Sequence, residues 1–180
     1  DPGITVVASA RDPYEARDAI IEHRPDVITL DIELPRMDGI EFLRRLIPQY
    51  PIPVVVISSL SDKVFEAMSA GAVDFVAKPA NATRAQLDNF MKNELAVKVK
   101  IASIAKVGNK KRSPIEIPRE TLAGSRKDLI VAIGASTGGT EAIATVLKEF
   151  DTDIPGVVIV QHMPPKFTEM YANRLNDKCV

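Results

Sequence analysis

Short runs of consecutive apolar residues alternate along the chain with longer stretches in which apolar residues recur at three- and four-residue spacing. The first kind reads as strands covered on both faces and the second as amphipathic helices, the alternation expected of parallel α/β sheets. Ile4 to Ala8 is predicted as a strand, and Asp12 to His23 as a helix with Asp12 as its N-cap and Pro13 in first position. Val27 to Leu30 is the next strand, followed by a helix from Asp38 to Leu46 that stops before Pro48. Val54 to Ile57 is a third strand. Val64 to Ser69 forms a short helix ending near Gly71, and Val73 to Ala77 a fourth strand ahead of Pro79. Thr83 to about Val99 is predicted as a long helix with Leu87, Phe90, Met91, Leu95 and Val99 as its apolar positions.

The pattern then lapses. Gly108 to Pro114, Pro118 and Gly124 to Lys127 carry turn formers and charge with little periodicity, which reads as a linker. A second α/β region follows, with strands at Leu129 to Ile133 and Val157 to Val160 and helices at Thr140 to Glu149 and Pro165 to Leu175. The expected organisation is a first domain over 1–105, a linker over 106–127 and a second domain over 128–180. Composition supports packed domains, with 46% hydrophobic and 26% charged residues, values ordinary for a globular protein. A formal net charge of −1 gives no field to attract nucleic acid or anionic lipid, and Lys110 to Arg112 read as a solvated tether. No apolar run reaches membrane-spanning length, so membrane insertion is not expected. The opening Asp1-Pro2-Gly3 does not resemble a signal peptide, and the single Cys179 fits a reducing compartment.

In open parallel sheets, ligands bind outside the carboxyl ends of the strands. In the first region those positions carry Asp31, Ser58 and Lys78. A carboxylate nucleophile, a hydroxyl donor and an ammonium can together perform phosphoryl chemistry. The run Asp26 to Asp31 with Leu34-Pro35-Arg36-Met37-Asp38-Gly39, and Ala70-Gly71-Ala72 ahead of Lys78-Pro79, resembles a response-regulator receiver domain. The resemblance implies a flavodoxin-like fold, with Asp31 as the acceptor of phosphate from a histidine kinase. It implies too that Ser58 and Lys78 sense the phosphate, that Phe75 is the switch aromatic, and that Pro79 follows a cis bond. Mg²⁺ is the ion implied for phosphorylation, bound through Asp31 and a pair of acidic residues on the family's first strand. The sequence begins at the family's second strand and has no such pair, so an incomplete receiver, poorly phosphorylated and short of its central strand, is expected.

In the second region, Leu129 to Ile133 runs into Gly134-Ala135-Ser136-Thr137-Gly138-Gly139 and then a helix. This matches G-x-S-x-G, a sharp strand-to-helix turn that presents a serine, with helix N–H groups available to an oxyanion. Phosphate cradles and plain tight turns share the glycine-rich pattern, but neither a dinucleotide fingerprint nor a Walker lysine is present. His162 follows the next strand and should emerge at the same sheet edge, within reach of Ser136 as its base. Ile133 to Ala142, with Val160-Gln161-His162-Met163-Pro164-Pro165, resembles the chemotaxis protein-glutamate methylesterase family, in which a receiver is linked to a serine-hydrolase domain.

By that resemblance Ser136 attacks glutamate methyl esters on chemoreceptor cytoplasmic helices, His162 is base and then acid, and Thr137 lies in the oxyanion region. Glutamine deamidation is implied as well, with no metal in the hydrolysis, a cytoplasmic setting, and a receiver that covers the esterase site until phosphorylated. The family's third triad residue is an Asp far downstream, and Asp177 lies too near to replace it. Loss of that orienting group costs about 10⁴ in kcat in the serine proteases, so an incomplete, impaired esterase domain is expected. Two further readings stand beside this one: an inactive receiver-containing fragment that binds kinase or receptor, and a serine hydrolase acting on another ester.

Overall fold

A computed structural model describes residues 1–59, 61–107, 129–150 and 152–179. The chain divides into two compact units, Asp1–Gly108 and Asn109–Val180. Apart from residues 106 and 107, the expected linker lies outside the described residues.

In the first unit, helix α1 (Pro13–His23) starts at Asp12, whose carboxylate accepts from the N–H groups of Tyr14 and Glu15 at 2.9 and 3.0 Å. Strand β1 (Ile28–Asp31) follows, then helix α2 (Gly39–Gln49), capped by Asp38. Strand β2 (Val54–Ser58), helix α3 (Ser61–Ser69) and strand β3 (Asp74–Ala77) complete a parallel sheet of order β1-β2-β3. The register pairs Asp31 with Ile57 and Ser58 with Ala77. Val54, Val55 and Val56 on the central strand are fully buried, which is why this strand reads as an unbroken apolar run.

The structure departs from the expected elements in particular places. Ile4 to Ala8 is not a strand. A strand needs a ladder, and among the described residues no neighbour pairs with this segment. Val6 is 82% exposed, although Ile4 packs against the core cluster of Val76, Phe90, Leu95 and Val99. Helix α2 runs through Pro48 rather than stopping before it. Proline in the last turn forfeits one N–H bond, and Gln49 Nε2 meets the carbonyl of Arg45 at 3.0 Å while Tyr50 N–H closes onto Leu46. No peptide bond among the described residues is cis, so Lys78–Pro79 is trans. That is the isomer X–Pro bonds favour by roughly 0.5–1 kcal/mol.

The long helix is in three parts: α4 (Arg84–Phe90), a π-helical turn (Met91–Leu95) and α5 (Ala96–Ser103). In an uninterrupted α-helix, residues five apart lie about 140° apart around the axis. The wide turn lets both Phe90 and Leu95 face the sheet with Val99, and it leaves Leu87 and Met91, expected to be apolar contacts, about half exposed.

The second unit holds two parallel strands, β4 (Ile130–Ala135) and β5 (Gly156–Gln161), and the helices α6 (Gly139–Leu147) and α7 (Pro165–Lys178). Both strands are longer than predicted, with Gly134 and Ala135 inside the ladder and Ala135 opposite Gln161. Ile143 and Ala144 on α6 and Phe167 and Tyr171 on α7 are the buried apolar residues of this unit among those described. Tyr171 donates to the carbonyl of Thr140 at 2.8 Å, and burial pushes its phenol up to about 12.

Candidate functional site

In the first unit, β1 and β2 end on Asp31 and Ser58, and Lys78 follows β3, so the parallel register itself delivers the three predicted side chains to one sheet edge. Lys78 Nζ forms an ion pair with Asp31 Oδ2, and the N–H of Glu33 donates to Asp31 Oδ1 at 3.1 Å. The Lys78 N–H donates to the Ser58 carbonyl at 2.9 Å, and Ser58 itself is fully buried. Beside them Ser59 Oγ donates to Glu33 Oε2 at 3.0 Å, a contact between loops that sequence reasoning did not find.

The loop after β1 is held tightly. A Cβ on Gly39 would lie 2.5 Å from the carbonyl oxygen of Asp31 and 2.9 Å from Ile32 Cα, both main-chain atoms. Gly39→Ala is therefore expected to destabilise the first unit by about 1–3 kcal/mol through overpacking, read as a lowered urea midpoint. An unchanged midpoint would show that the loop yields freely.

At the start of α2, Asp38 accepts from Ile40 N–H and from Lys63 Nζ, each at 2.8 Å. The Lys63 hydrogen bond first, and the Ile40 N–H second, hold its carboxyl below the ordinary 3.8. A lowered folded pKa gives stability that is complete above the unfolded value and lost as pH falls through the folded one. Asp38→Asn keeps the cap and loses the charge. Its deficit against wild type should be present at about pH 6 and vanish as Asp38 protonates toward about pH 2, a convergence visible in paired urea titrations.

Phe75 is buried in β3, in edge contact with Phe65 at 6.3 Å between ring centroids. Lys98 Nζ lies 5.5 Å from the ring centroid and 2.7 Å from Asp74 Oδ1, an ion pair about one-tenth exposed. Asp74 Oδ1 also accepts the Phe75 N–H at 2.7 Å. Neither Asp74 nor Lys98 is distinguished in the sequence.

Mg²⁺ is the ion receiver domains use for phosphorylation, and the described residues do not make a site for it. Asp31 Oδ2 is engaged by Lys78, and among the described residues no three His, Cys, Asp or Glu side chains are grouped to hold a metal.

In the second unit, Ser136 and His162 immediately follow the register pair Ala135 and Gln161, so they stand side by side at the ends of adjacent strands. His162 N–H donates to the Ala135 carbonyl at 3.1 Å, extending the ladder to this point. Both residues are exposed, and their side chains do not hydrogen-bond to each other in this structure. Gly138, at φ 75°, turns the chain into α6, and Gly139 N–H returns to the Ser136 carbonyl at 2.8 Å. Thr137 is half-buried at the mouth of this helix. Asp177 sits near the far end of α7, about 18 Å along the axis from Pro165, and is not brought to the pair.

Residues 1–88 match the family model of the response regulator receiver domain, and residues 131–180 match that of CheB methylesterase. The chain is 56% identical over 180 residues to protein-glutamate methylesterase/protein-glutamine glutaminase 2 of Syntrophomonas wolfei, covering all of this chain and 52% of that protein. It is 51% identical to the corresponding protein of Syntrophotalea carbinolica, covering 99% of this chain and 53% of the relative. The chain thus spans about half the length of the curated relatives it matches. The response regulator domain of Thermotoga maritima CheB superposes with a TM-score of 0.52 at 36% identity, over 59% of this chain and 81% of that one.

Proposed function

We propose, for a chain whose residues 1–88 belong to the response regulator receiver family and whose residues 131–180 belong to the CheB methylesterase family, a phosphorylation-regulated hydrolysis of glutamate methyl esters. The observation that carries it is the placement of Ser136 and His162 at neighbouring ends of β4 and β5, next to the N-terminus of α6. The substrates are methylated glutamates on the cytoplasmic helices of chemoreceptors, and the phosphodonor for Asp31 is the chemotaxis histidine kinase; the protein works in the cytoplasm.

In the forward step Ser136 Oγ bonds to the ester carbonyl carbon as its proton passes to His162. The tetrahedral oxyanion forms at Thr137 and the mouth of α6, where the helix dipole favours negative charge. Collapse breaks the bond to the methoxy oxygen, which takes the proton from His162 and leaves as methanol. Water, activated by His162, then releases glutamate and regenerates the serine. A glutamine side chain follows the same course and releases ammonia. No metal enters any of these steps.

In the first unit the Asp31 carboxylate is the phosphoryl acceptor, Lys78 offsets the added charge and the Ser58 hydroxyl hydrogen-bonds a phosphoryl oxygen. Phe75, fixed by packing to Phe65, is the aromatic whose position reports the change. The domain division expected from the sequence, 1–105, 106–127 and 128–180, belongs to this reading.

The test is methanol release from radiomethylated receptor membranes, with and without phosphodonor, together with mass-spectrometric mapping of an acyl or phosphonyl adduct. Methanol release with an adduct at Ser136 is the expected result. Kinase binding without any methanol release would turn the reading to a non-enzymatic binding protein, and turnover of soluble esters alone would point to another substrate.

A further inference from the structure

We infer that Gln161, the last residue of β5, is a positioning residue that ties the Ser136 turn to the His162 strand end through its side-chain amide. The inference rests on Ser136 as nucleophile and His162 as base. Gln161 Nε2 donates to the carbonyl of Ser136 at 2.9 Å and to the carbonyl of His162 at 3.1 Å. A primary amide has two N–H donors, and here both are directed at the main chain of the two reacting residues. The Ser136 carbonyl is thereby held twice, by Gln161 and by Gly139 N–H at 2.8 Å, so the peptide plane from which the serine is displayed has little freedom to rotate.

The other half of the amide shows how closely the group is fitted. Gln161 Oε1 is buried and accepts no hydrogen bond among the described residues. A Cβ added to Gly139 would lie 2.1 Å from Oε1, 3.1 Å from Cδ and 2.6 Å from Ala135 Cβ. The glycine that follows the nucleophile turn is therefore required by the packing of this amide. Burying an acceptor without a donor is unfavourable, and natural structures keep few such groups. It is kept here where the same amide spans both candidate catalytic residues.

A primary amide of this length suits the position. Glutamate presents oxygens, which cannot donate to two carbonyls, and leucine has no donor. Asparagine falls short by one carbon–carbon bond, about 1.5 Å.

The probe is a methyl alkylfluorophosphonate. Ser136 Oγ forms the bond to phosphorus, fluoride leaves with its electron pair, and the serine proton passes to His162. Gln161→Leu and Gln161→Glu are expected to lower the saturating rate of this capture by about 10- to 100-fold while leaving the half-saturating probe concentration within about twofold, the mark of lost orientation with retained binding. In the unaltered full chain, the ¹⁵N-resolved side-chain amide protons of Gln161 should exchange more slowly than those of the exposed Asn176. Amide protons that exchange as fast as those of Asn176 would overturn the tie, whatever the fate of the variants. So would capture at the wild-type rate in both variants. If the unaltered chain itself is not captured at Ser136 while the Gln161 amide is protected, the nucleophile reading fails, and with it the positioning role.

Discussion

Ser136→Ala, His162→Ala and the double variant are expected to show the same loss of methanol release, about 10²-fold or more, instead of losses that multiply. Nucleophile and base act in one step: without His162 the serine keeps its proton, and without Ser136 the histidine has no proton to accept. The residual rate belongs to whatever the helix N-terminus and substrate binding supply alone. Rates should be compared on the same methylated substrate at saturation, with circular dichroism confirming that β4 and β5 survive. Losses that multiply, or a His162→Ala variant within tenfold of the parent, would remove the pair from the mechanism.

The second large effect belongs to the interior of the first unit. Asp74→Ala should lower its stability by about 3–5 kcal/mol, because Lys98 is then left as a buried charge without its counter-ion. Lys98→Met should cost a similar amount for the opposite reason. Replacing both together, as Asp74→Leu with Lys98→Met, should recover most of the loss, since a buried ion pair adds little net stability over an apolar pair. Recovery stays incomplete because the Phe75 N–H loses its acceptor. Hydrogen exchange of the Val54, Val55 and Val56 amides reports the opening of this sheet separately from the second unit. A single variant costing less than about 1 kcal/mol would contradict the assignment of this pair as buried and mutually dependent.

The two sheets were largely legible because their strands are short apolar runs whose carboxyl ends carry reactive side chains, although only β2 and β3 are mostly buried while β4 and β5 alternate exposed and half-buried residues. Val54 to Val56 and Val157 to Val160 announce themselves as apolar runs, and Asp31, Ser58, Lys78, Ser136 and His162 fall where parallel strands end. Ile4 to Ala8 has the same apolar character, and its failure to form a strand is a property of its surroundings, since hydrogen bonds between strands are not encoded in either strand alone. The π turn escaped for a different reason. One extra residue in a helical turn changes the phase of the apolar pattern by an amount that single-sequence periodicity tolerates. Gln161 and Gly139 were visible only as neighbours of more conspicuous residues, because what links them is a contact between the end of β5 and the start of α6. Asp74 and Lys98 were silent because charged residues at a strand start and on a helix ordinarily face solvent.

The π turn at Met91–Leu95 also fixes the phase of everything beyond it. An α-helix advances about 100° per residue, so returning this turn to α-helical hydrogen bonding would swing α5 around its own axis relative to α4. Val97 would take the place of Lys98 at the ring of Phe75, Lys98 would take that of Val99 against Val76, and Ile101 would take that of the buried Ala102. The chain stores an added residue as rotation, and that angle puts a lysine from α5 beneath the aromatic ring in β3.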